Sequence, residues 1–360
     1  MITPNILNSG TISPTFFQDP NIWNWFKDKV FPTSWHYLTD THRFPSTLRQ
    51  APNLLLPDFL DEPVVLTRNA DDRIQAFSNV CTHRAAEICT HGSSRDKIVC
   101  PYHGRQFSLE GKFLFMPEFE EAQNFPSEAD HLFPFSVEVL SPLIFISPEP
   151  KYSFSNWIDP FQSLLSWLPL KDFNYTANNS SSYQVDAHWA LYVENYLEGF
   201  HIPFIHPGLH KILEFGAYEE YLFPYGTLQI GIAKKDEDCF DLPVGSEHYG
   251  KRIAAFYFWL YPNLMLNFYP WGLSINRINP ISPTHTRVEY FQYVWKEALI
   301  RSGAGGALDQ VEKEDGAIVK SVQRGIQSRY YTGGRFSPRR EKGVHHFHCM
   351  LENEIQPLNT

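Results

Sequence analysis

The sequence lacks the features of a secreted, membrane-spanning or nucleic-acid-binding chain. Only five of its 360 residues are cysteine, and an odd number argues against a disulfide framework. The N-terminus, which reads Met-Ile-Thr-Pro-Asn, has neither the basic start nor the apolar run of a secretory signal. We therefore expect a cytosolic protein in which the cysteines bind metal. The net charge of −10 opposes binding to nucleic acid or to an anionic membrane.

No apolar run is long enough and uninterrupted enough to predict a membrane span. The longest candidate covers residues 254–273, and Pro262, Asn263 and Asn267 interrupt it. This pattern predicts two buried strands joined by a turn. The length of the chain and its 43% content of hydrophobic residues suit two domains, or one domain with a large insertion.

The residue pattern changes along the chain and predicts an α+β protein. Residues 1–34 have helical character, and we expect this segment to pack on the C-terminal domain. Residues 35–150 consist of short β-like runs separated by proline, glycine and aspartate, which predicts a small all-β domain. Residues 151–360 contain a helical stretch, several strands and a long helix at about 308–330. That order predicts helices segregated from an antiparallel sheet.

Two short loops in the predicted β domain each carry one cysteine and one histidine: Cys81 and His83, then Cys100 and His103. We expect an extended first loop, in which residues i and i+2 point the same way. Pro101 and Gly104 suit a tight turn in the second loop. Such loops would hold a 2Fe–2S cluster with the cysteines on one iron and the histidines on the other, which raises the reduction potential.

A structural zinc site is the rival interpretation of these loops. Zinc fingers usually pair two cysteines in one loop and two histidines in another, whereas each loop here carries one of each. Cys89 and His91 lie between the loops. Because four ligands already complete the cluster, we interpret them as a buried thiol and a surface histidine.

A second candidate metal site lies in the stretch from Glu194 to His206. On a helix, Glu194, Glu198 and His201 would share one stripe because their spacing is i, i+4, i+7. His206 would leave that stripe, and Pro203 disfavours helix at the residue before it. A non-helical turn must therefore bring His206 back towards His201. Two histidines and one carboxylate form the ligand set of non-haem iron oxygenases.

The missing carboxylate is sought on the last long helix. Winding residues 311–326 as a helix places Asp315 in the middle of an apolar stripe and Glu312 and Glu314 at its edges; the stripe consists of Val311, Ile318, Val322 and Ile326. An aspartate that faces a core is costly unless it is paired or binds metal, so Asp315 is the predicted third ligand. Glu314 is the alternative, because the register at a helix start is uncertain. An acid there is also consistent with a role at the helix dipole alone.

These motifs resemble those of the Rieske oxygenases, particularly the branch similar to choline and carnitine monooxygenases. The segments that carry the resemblance begin at Cys100, Met116, Glu194, Glu314 and Gly343, and the resemblance as a whole covers about residues 35–348. Many ring-hydroxylating relatives have tryptophan where this chain has Arg105 and aspartate where it has Glu198. Both departures look like the quaternary-ammonium branch.

The resemblance implies a Rieske 2Fe–2S domain joined to a helix-grip, START-like catalytic domain with an antiparallel sheet. It implies a homotrimer in which the cluster of one subunit supplies the iron of the next. It also implies that Glu198 bridges a cluster histidine and an iron histidine across the subunit interface.

We therefore expect an oxygenase component with a Rieske cluster, a mononuclear Fe(II) and dioxygen as co-substrate. The glycine-rich stretch at Gly303 lacks the context of a dinucleotide site. Electrons from NAD(P)H must then arrive through a separate flavin and iron–sulfur reductase or a ferredoxin.

The expected substrate is a small quaternary ammonium or betaine-like compound, which would undergo N-demethylation, C–N cleavage or choline-type oxidation. Hydroxylation or dihydroxylation of an aromatic or heteroaromatic compound is one alternative. An electron-transfer Rieske protein without catalytic iron is another. A cation would need aromatic faces, and six aromatic residues of the C-terminal half are candidates: Tyr192, Phe200, Phe204, Tyr257, Trp259 and Trp271.

Overall fold

The computed structural model describes residues 2–358 and divides into two compact units. Within the described residues, one unit comprises residues 32–151, and the other combines residues 2–31 with residues 152–358. Trp25, at the end of an N-terminal helix, donates a hydrogen bond from Nε1 to the carbonyl oxygen of Glu354 at 2.8 Å. The first thirty residues thus belong to the larger unit.

The smaller unit is built from antiparallel β-strands, as the alternation of short apolar runs and turn residues predicts. A six-stranded sheet has the order β1-β9-β8-β4-β3-β2, and β5, β6 and β7 form a second sheet. The bounds are β1 His36–Asp40, β2 Gln50–Leu55, β3 Glu62–Arg68, β4 Ile74–Ser78, β5 Lys97–Val99, β6 Gln106–Ser108, β7 Phe113–Phe115, β8 Pro134–Leu140 and β9 Leu143–Ser147.

The larger unit combines a single antiparallel sheet with seven α-helices in the described residues. The helices are α1 Pro20–Trp25, which a π-helical turn Phe26–Val30 extends, α2 Phe154–Leu165, α3 Trp189–Tyr196, α4 Ile202–Ile205, α5 Pro207–Ile212, α6 Leu308–Ile326 and α7 Lys342–Ile355. The strands are β10 Asn174–Tyr175, β11 Ser181–Val185, β12 Glu219–Phe223, β13 Gly226–Ile232, β14 Ile253–Leu260, β15 Leu264–Tyr269, β16 Gly272–Ser282 and β17 His285–Val294. The fold is α+β, as predicted.

The long apolar stretch forms two central strands of this sheet. The sheet has the order β10-β17-β16-β15-β14-β13-β12, with β11 also paired to β17. Every residue of β14 and β15 is buried, and the chain turns between them at Pro262 and Asn263. The prediction of two buried strands is confirmed. None of the helices described between residues 2 and 358 has the length and apolar character needed to cross a membrane.

Helix α6 packs against α3 and β11, and this contact places the second candidate site. The buried residues of α6 are Val319, Gln323 and Ile326, whereas Val322 is 41% exposed. The predicted stripe placed Val322 inward, so its register is wrong toward the C-terminal end. The buried face of α6 is rotated relative to the predicted stripe, because the start of the helix faces a polar pocket rather than a purely apolar core.

Candidate metal centres and active-site pocket

The two cysteine–histidine loops come together in the smaller unit. The rings of His83 and His103 lie with their centroids 4.8 Å apart. Cys81 and Cys100 are both buried in one apolar cluster. Burial, together with the nearby Cys100 thiol, raises the pKa of Cys81. The structure thus pairs histidine with histidine and cysteine with cysteine.

Each loop is a tight turn. Gly104 has φ +74°, a left-handed conformation that glycine adopts without strain, and its N–H bonds to the Cys100 carbonyl at 3.0 Å. The first loop closes similarly, with the Ala85 N–H bonded to the Cys81 carbonyl at 3.0 Å. The expectation that the first loop is extended is therefore wrong, because a turn brings its ligands together.

The donor set fits a Rieske cluster. The Nδ1 atom of His103 is buried and, within residues 2–358, has no hydrogen-bond partner. A buried nitrogen without a partner is costly unless it binds a group such as a metal ion. Two thiols and two imidazoles match the cysteine and histidine ligands of a Rieske 2Fe–2S cluster. The ligand roles of Cys81, His83, Cys100 and His103 stay a prediction that this geometry favours.

Cys89 occupies a structural position next to these loops. Its thiol donates a weak hydrogen bond to the carbonyl oxygen of His91 at 3.4 Å. Burial raises the pKa of this thiol to about 11. Burial and the bond to a backbone carbonyl fit the predicted buried thiol.

Arg105, which occupies the position of a tryptophan in many relatives, organises the second loop. Its side chain is buried, and Nη2 donates to Oδ1 of Asp130 at 2.6 Å. The guanidinium carbon lies 4.9 Å from the ring centroid of Phe113 and 5.4 Å from that of Phe125. A delocalised cation of this kind is stable when aromatic faces and a carboxylate replace its hydration.

The larger unit brings His201, His206 and Asp315 together. One ligand atom from each lies within 4.8 Å of the other two. Oδ1 of Asp315 is 2.9 Å from Nε2 of His206 and 3.7 Å from Nε2 of His201. Two imidazoles and one carboxylate that converge on a point fit a mononuclear iron centre. This is the ligand set predicted from sequence, and its occupancy by iron stays a prediction.

Glu314 lies behind His206 and not among the three converging ligand atoms, where an alternative metal ligand would have to lie. Its Oε2 lies 2.7 Å from Nδ1 of His206, whereas Nε2 of the same ring faces Asp315. Burial disfavours the charged ring, but the hydrogen bonds to Asp315 and Glu314 outweigh this effect and raise the pKa of His206. A carboxylate on the far nitrogen orients a ligating histidine and fixes its tautomer.

Glu198 holds His201 in the same manner. Its Oε1 lies 2.7 Å from Nδ1 of His201, and its Oε2 accepts hydrogen bonds from the backbone N–H groups of Phe200 and His201. The structure therefore places Glu198 at one end of its predicted bridge.

The backbone here differs from a continuous helix. Helix α3 ends at Tyr196, before Glu198 and His201, so the three residues at i, i+4 and i+7 do not share a helical stripe. Pro203 stands in the first turn of α4, where a missing N–H costs nothing, so Ile202 is helical despite the proline. His206 has φ −114° and ψ +74° between α4 and α5. The predicted non-helical turn at His206 is confirmed.

A pocket adjoins the His201, His206 and Asp315 group, between α3, α6 and the sheet. Its wall includes five tyrosines and several amide and hydroxyl side chains: Tyr192, Tyr196, Tyr218, Tyr257, Tyr269, Asn195, Gln229, Asn267, Ser274 and Asn276. Asn195 donates to Oδ1 of Asp315 at 2.6 Å. The pocket is therefore polar and aromatic.

Glu312 is the third acid of this pocket, with Glu198 and Asp315. It is partly buried and lines the cavity. The hydroxyl groups of Tyr192 and Tyr290 both contact Oε2 of Glu312 and lie 2.7 Å from each other. Removal from bulk water and the nearby charge of Asp315 raise the pKa of Glu312 to about 7.

Gly305 allows the loop before α6 to lie close against the pocket wall. A Cβ atom at this position would lie 2.4 Å from Nε1 of Trp271 and 2.7 Å from Cγ of Tyr269. Tyr269 lines the pocket. Only glycine fits between the loop and these two rings.

Sequence reasoning identified two of the pocket tyrosines, Tyr192 and Tyr257, and missed others. Trp259 and Trp271 are buried outside the pocket lining, and Phe200 and Phe204 are exposed. Tyr196 follows Tyr192 by one helical turn, a spacing that would have identified it. On the sheet, Asn267 and Tyr269 alternate along β15 and point the same way. Polar residues within an otherwise buried strand were the available signal.

The histidines near the C-terminus have structural partners. On α7, His345 and His346 contact the carbonyl oxygens of Thr3 and Phe223, at 2.8 and 2.7 Å. His348 pairs with Glu194 at 2.8 Å. Their interpretation as part of a structural segment, rather than a third metal site, is consistent with these bonds.

A fold with paired cysteine–histidine loops in one unit and a convergent His–His–Asp group in the other defines a Rieske-type non-haem iron oxygenase. Family models agree along the chain. Residues 47–126 match the Rieske 2Fe-2S domain, and residues 172–356 match the ring hydroxylating alpha subunit (catalytic domain). The matched domains imply a Rieske cluster and a mononuclear iron.

Characterised relatives cover nearly the whole chain. It is 31% identical to the carnitine monooxygenase oxygenase subunit of Escherichia coli, across 95% of this chain and 92% of that protein. It is 28% identical to a chloroplastic choline monooxygenase of Arabidopsis thaliana, across 97% of this chain and 83% of that protein. The chain belongs to the family of ring-hydroxylating oxygenase alpha subunits, and the predicted resemblance is confirmed.

Solved structures show the same fold. A quaternary ammonium Rieske monooxygenase in complex with L-carnitine superposes with a TM-score of 0.76 at 22% identity, across 97% of this chain and 96% of that one. Naphthalene 1,2-dioxygenase from a Rhodococcus species gives 0.73 at 16% identity, across 96% and 94%. The predicted fold class is confirmed.

Proposed function

We propose that this oxygenase hydroxylates a small quaternary ammonium compound at a carbon bound to the nitrogen or close to it. The observation that carries the proposal is a tyrosine-lined pocket that contains Glu312 beside the His201, His206 and Asp315 group. Tyrosine faces attract a cation by about 1 to 2 kcal/mol each when water is excluded. The choline and carnitine monooxygenases among the relatives support the same substrate class.

The environment of Glu312 suits a cation that cannot donate hydrogen bonds. Oε2 of Glu312 already contacts the hydroxyl groups of Tyr192 and Tyr290. The carboxylate therefore presents charge to the cavity while part of its hydrogen-bonding capacity is used. A quaternary ammonium group needs charge and aromatic faces and no acceptor. A primary ammonium group would lose its three hydrogen bonds to water without equivalent replacement.

The site residues have distinct roles in this proposal. His201, His206 and Asp315 would hold the iron, and Glu314 and Glu198 would orient the two rings. When bound, the 2Fe–2S cluster and the iron supply stored electrons and dioxygen activation. The overall reaction takes one substrate C–H bond, one O₂, two electrons and two protons, and it gives a C–OH group and water. Hydroxylation next to nitrogen leads to loss of an aldehyde and cleavage of the C–N bond.

The electrons would come from NAD(P)H through a separate flavin and iron–sulfur reductase or ferredoxin, and we propose that the protein is cytosolic. The compact division of the chain supports assigning residues 35–150 to the cluster domain and 151–360 to the catalytic domain, with residues 1–34 packed on the latter.

We also propose a homotrimer in which Glu198 links the iron site to the cluster of a neighbouring subunit. Phe200 and Phe204, beside His201, are 41% and 76% exposed, and Tyr102, beside His103, is 55% exposed. Exposed aromatic side chains next to both redox sites are typical of surfaces that a partner covers.

The test is substrate-dependent oxygen uptake by the purified protein with a surrogate reductase. We expect quaternary ammonium compounds to stimulate uptake and arenes not to do so. Stimulation by arenes alone would contradict the substrate class. Iron counting separates the oxygenase from a pure electron carrier. We expect about three irons per chain, with two in the cluster, and loss of the third in His201→Ala.

A further inference from the structure

The pocket carries a charge pattern that distinguishes between two kinds of quaternary ammonium compound. A choline-like compound has one positive charge and a neutral hydroxyl, whereas a betaine adds a carboxylate. The relatives include proteins named for each kind, choline and carnitine. The inference below rests on the proposed function and narrows it.

Negative charge dominates the pocket wall. Within the described chain, the twenty lining residues include Glu198, Glu312 and Asp315 but no lysine or arginine. A divalent iron balances two of these carboxylates, and Glu312, when ionised, leaves one negative charge. One substrate cation neutralises it. A zwitterion also brings a carboxylate, so one uncompensated negative charge would remain in the pocket. That carboxylate would lie in a desolvated space beside other carboxylates.

The neutral donors of the wall are largely committed to the protein itself. Asn267 donates through Nδ2 to the Ser274 carbonyl at 3.2 Å and to Oδ1 of Asn276 at 3.1 Å. Ser274 Oγ also donates to Oδ1 of Asn276, at 3.2 Å. Gln229 Nε2 donates to the Tyr196 carbonyl at 2.6 Å. A buried carboxylate has about four lone-pair sites to satisfy, and Asn267, Ser274 and Gln229 could donate to them only by breaking these bonds.

An alcohol makes a smaller demand on the same wall. It is uncharged, and one hydrogen bond satisfies its proton. The amide side chains of Asn195 and Gln229 line the pocket together with the tyrosine hydroxyls. The neutral end of a choline-like molecule therefore needs only one partner in this wall, whereas a carboxylate needs several.

Helix α6 carries both Glu312 and the predicted iron ligand Asp315. Glu312 and Asp315 are three residues apart on α6, and three residues of helix rise about 4.5 Å. The counter-charge and the reacting centre thus lie on one helix, one turn apart.

We propose that this oxygenase takes a quaternary ammonium compound without a carboxylate, an amino alcohol of the choline type, and rejects betaines. Arg301 lines a neighbouring cleft and does not line the pocket. A carboxylate inside the pocket would therefore have no lysine or arginine in the described wall to pair with.

Four ligands of nearly equal size test this selection on the wild-type holoenzyme. Choline and glycine betaine share the trimethylammonium group and differ in the hydroxyl or carboxylate. 3,3-Dimethylbutan-1-ol and 3,3-dimethylbutanoate are their uncharged-carbon counterparts. Dissociation constants come from calorimetry, and oxygen uptake is measured in parallel with a surrogate reductase. We expect choline to bind on the order of 100-fold more tightly than glycine betaine.

The four ligands separate this inference from the proposed function. If choline binds more tightly than glycine betaine and more tightly than 3,3-dimethylbutan-1-ol, the result supports the inference and the proposed function. Glycine betaine equal to choline, with both tighter than the two carbon analogues, overturns the inference and leaves the substrate class intact. Choline no tighter than 3,3-dimethylbutan-1-ol overturns the proposed function and the inference with it.

A variant pair tests the role of Glu312. Glu312→Gln keeps an acceptor for the tyrosines and removes the charge, so we expect the preference for choline over 3,3-dimethylbutan-1-ol to fall about tenfold. Asp309→Asn is the matched control, because Asp309 lies one turn earlier on α6 and outside the pocket. An unchanged preference in a folded, iron-loaded Glu312→Gln protein contradicts the inference. Betaine binding that is lost in Arg301→Ala contradicts it as well.

Discussion

Oε2 of Glu314 lies 2.7 Å from Nδ1 of His206. This contact fixes which nitrogen of the ring is left for the metal, because a hydrogen bond to Nδ1 leaves Nε2 facing Asp315. The sequence left Glu314 and Asp315 as alternative ligands. In the structure the two acids lie on opposite sides of one imidazole and complement each other.

Removing the Glu314 carboxylate should weaken metal binding. We expect Glu314→Ala to lower iron affinity by about 10- to 100-fold, because His206 loses the group that orients it. Glu314→Gln should lose less, since its amide oxygen still accepts a hydrogen bond. Anaerobic titration of the apo iron site with Fe(II) measures the affinity, and Co(II) substitution reports the ligand geometry in the visible spectrum. Asp309→Ala on the same helix is the control, and an affinity equal to that of the control would rule out this role.

A bridging role for Glu198 predicts a defect in electron transfer rather than in metal loading. Glu198→Gln keeps a hydrogen-bond partner for His201 and removes the charge. We expect full iron content and slower oxidation of the cluster in a single turnover started with reduced protein, substrate and O₂. Stopped-flow absorbance of the cluster measures the rate. Cluster oxidation as rapid as in the wild type would refute the bridge.

Cys89 should be dispensable for the cluster. Its thiol is buried, has a pKa of about 11 and bonds to a backbone carbonyl. We expect Cys89→Ser to retain the rhombic EPR signal of the reduced cluster, with a small loss of stability. Cys100→Ser should abolish that signal. Loss of the signal in a folded Cys89→Ser protein would mean that the ligand assignment needs revision.

The pKa of Glu312 predicts how cation binding depends on pH. Burial raises this pKa from its usual 4.5 to about 7, so the carboxyl is protonated below pH 7 and ionised above it. A bound cation favours the ionised form. The dissociation constant for choline should therefore fall about tenfold between pH 6 and pH 8, in proportion to the ionised fraction. Binding of 3,3-dimethylbutan-1-ol should stay constant, and Glu312→Gln should flatten the choline profile. A choline affinity that weakens as pH rises contradicts the assignment.

Arg105 and Asp130 should contribute stability that is lost in acid. Burial opposes the ionised carboxylate, but the hydrogen bonds from Arg105 and Ser127 outweigh it and lower the pKa of Asp130 below its usual value. The contribution is therefore complete above the ordinary aspartate pKa of about 4 and disappears as pH falls through the lowered pKa. Asp130→Asn should cost about 1 to 3 kcal/mol at neutral pH and flatten the acid dependence. Urea unfolding of the whole protein, monitored by cluster absorbance, measures this, with the exposed Glu128→Gln as control. Equal stability of both variants would contradict it.

The sequence predicted the candidate ligands because metal ligation restricts both residue type and spacing. The pairs Cys81 with His83 and Cys100 with His103 were recognisable without any backbone geometry. The strands of residues 253–269 were equally clear, since two buried strands need an apolar stretch with a break. In the structure these two strands, β14 and β15, pair with each other and lie between β13 and β16.

The polar side of the pocket was harder to predict. Glu312 was assigned to the edge of an apolar stripe, because a helical wheel assumes that buried positions are apolar. In the structure α6 faces Tyr192 and Tyr290, so an acid points inward. The sequence of α6 alone does not show which residues of α3 and β17 pack against it. Helix ends were also missed: α3 stops at Tyr196, and Pro203 starts a short helix instead of preventing one.

Gly305 makes the width of the pocket depend on a position outside it. Because even a methyl group at Gly305 would press on Tyr269, a larger residue there would push that ring towards the substrate or displace the loop. Random mutagenesis followed by selection for a substrate of different size should therefore recover substitutions of Gly305 together with replacement of Tyr269 by a smaller residue. Gly305 and Tyr269 together can therefore set which substrate sizes fit, although only Tyr269 lines the pocket.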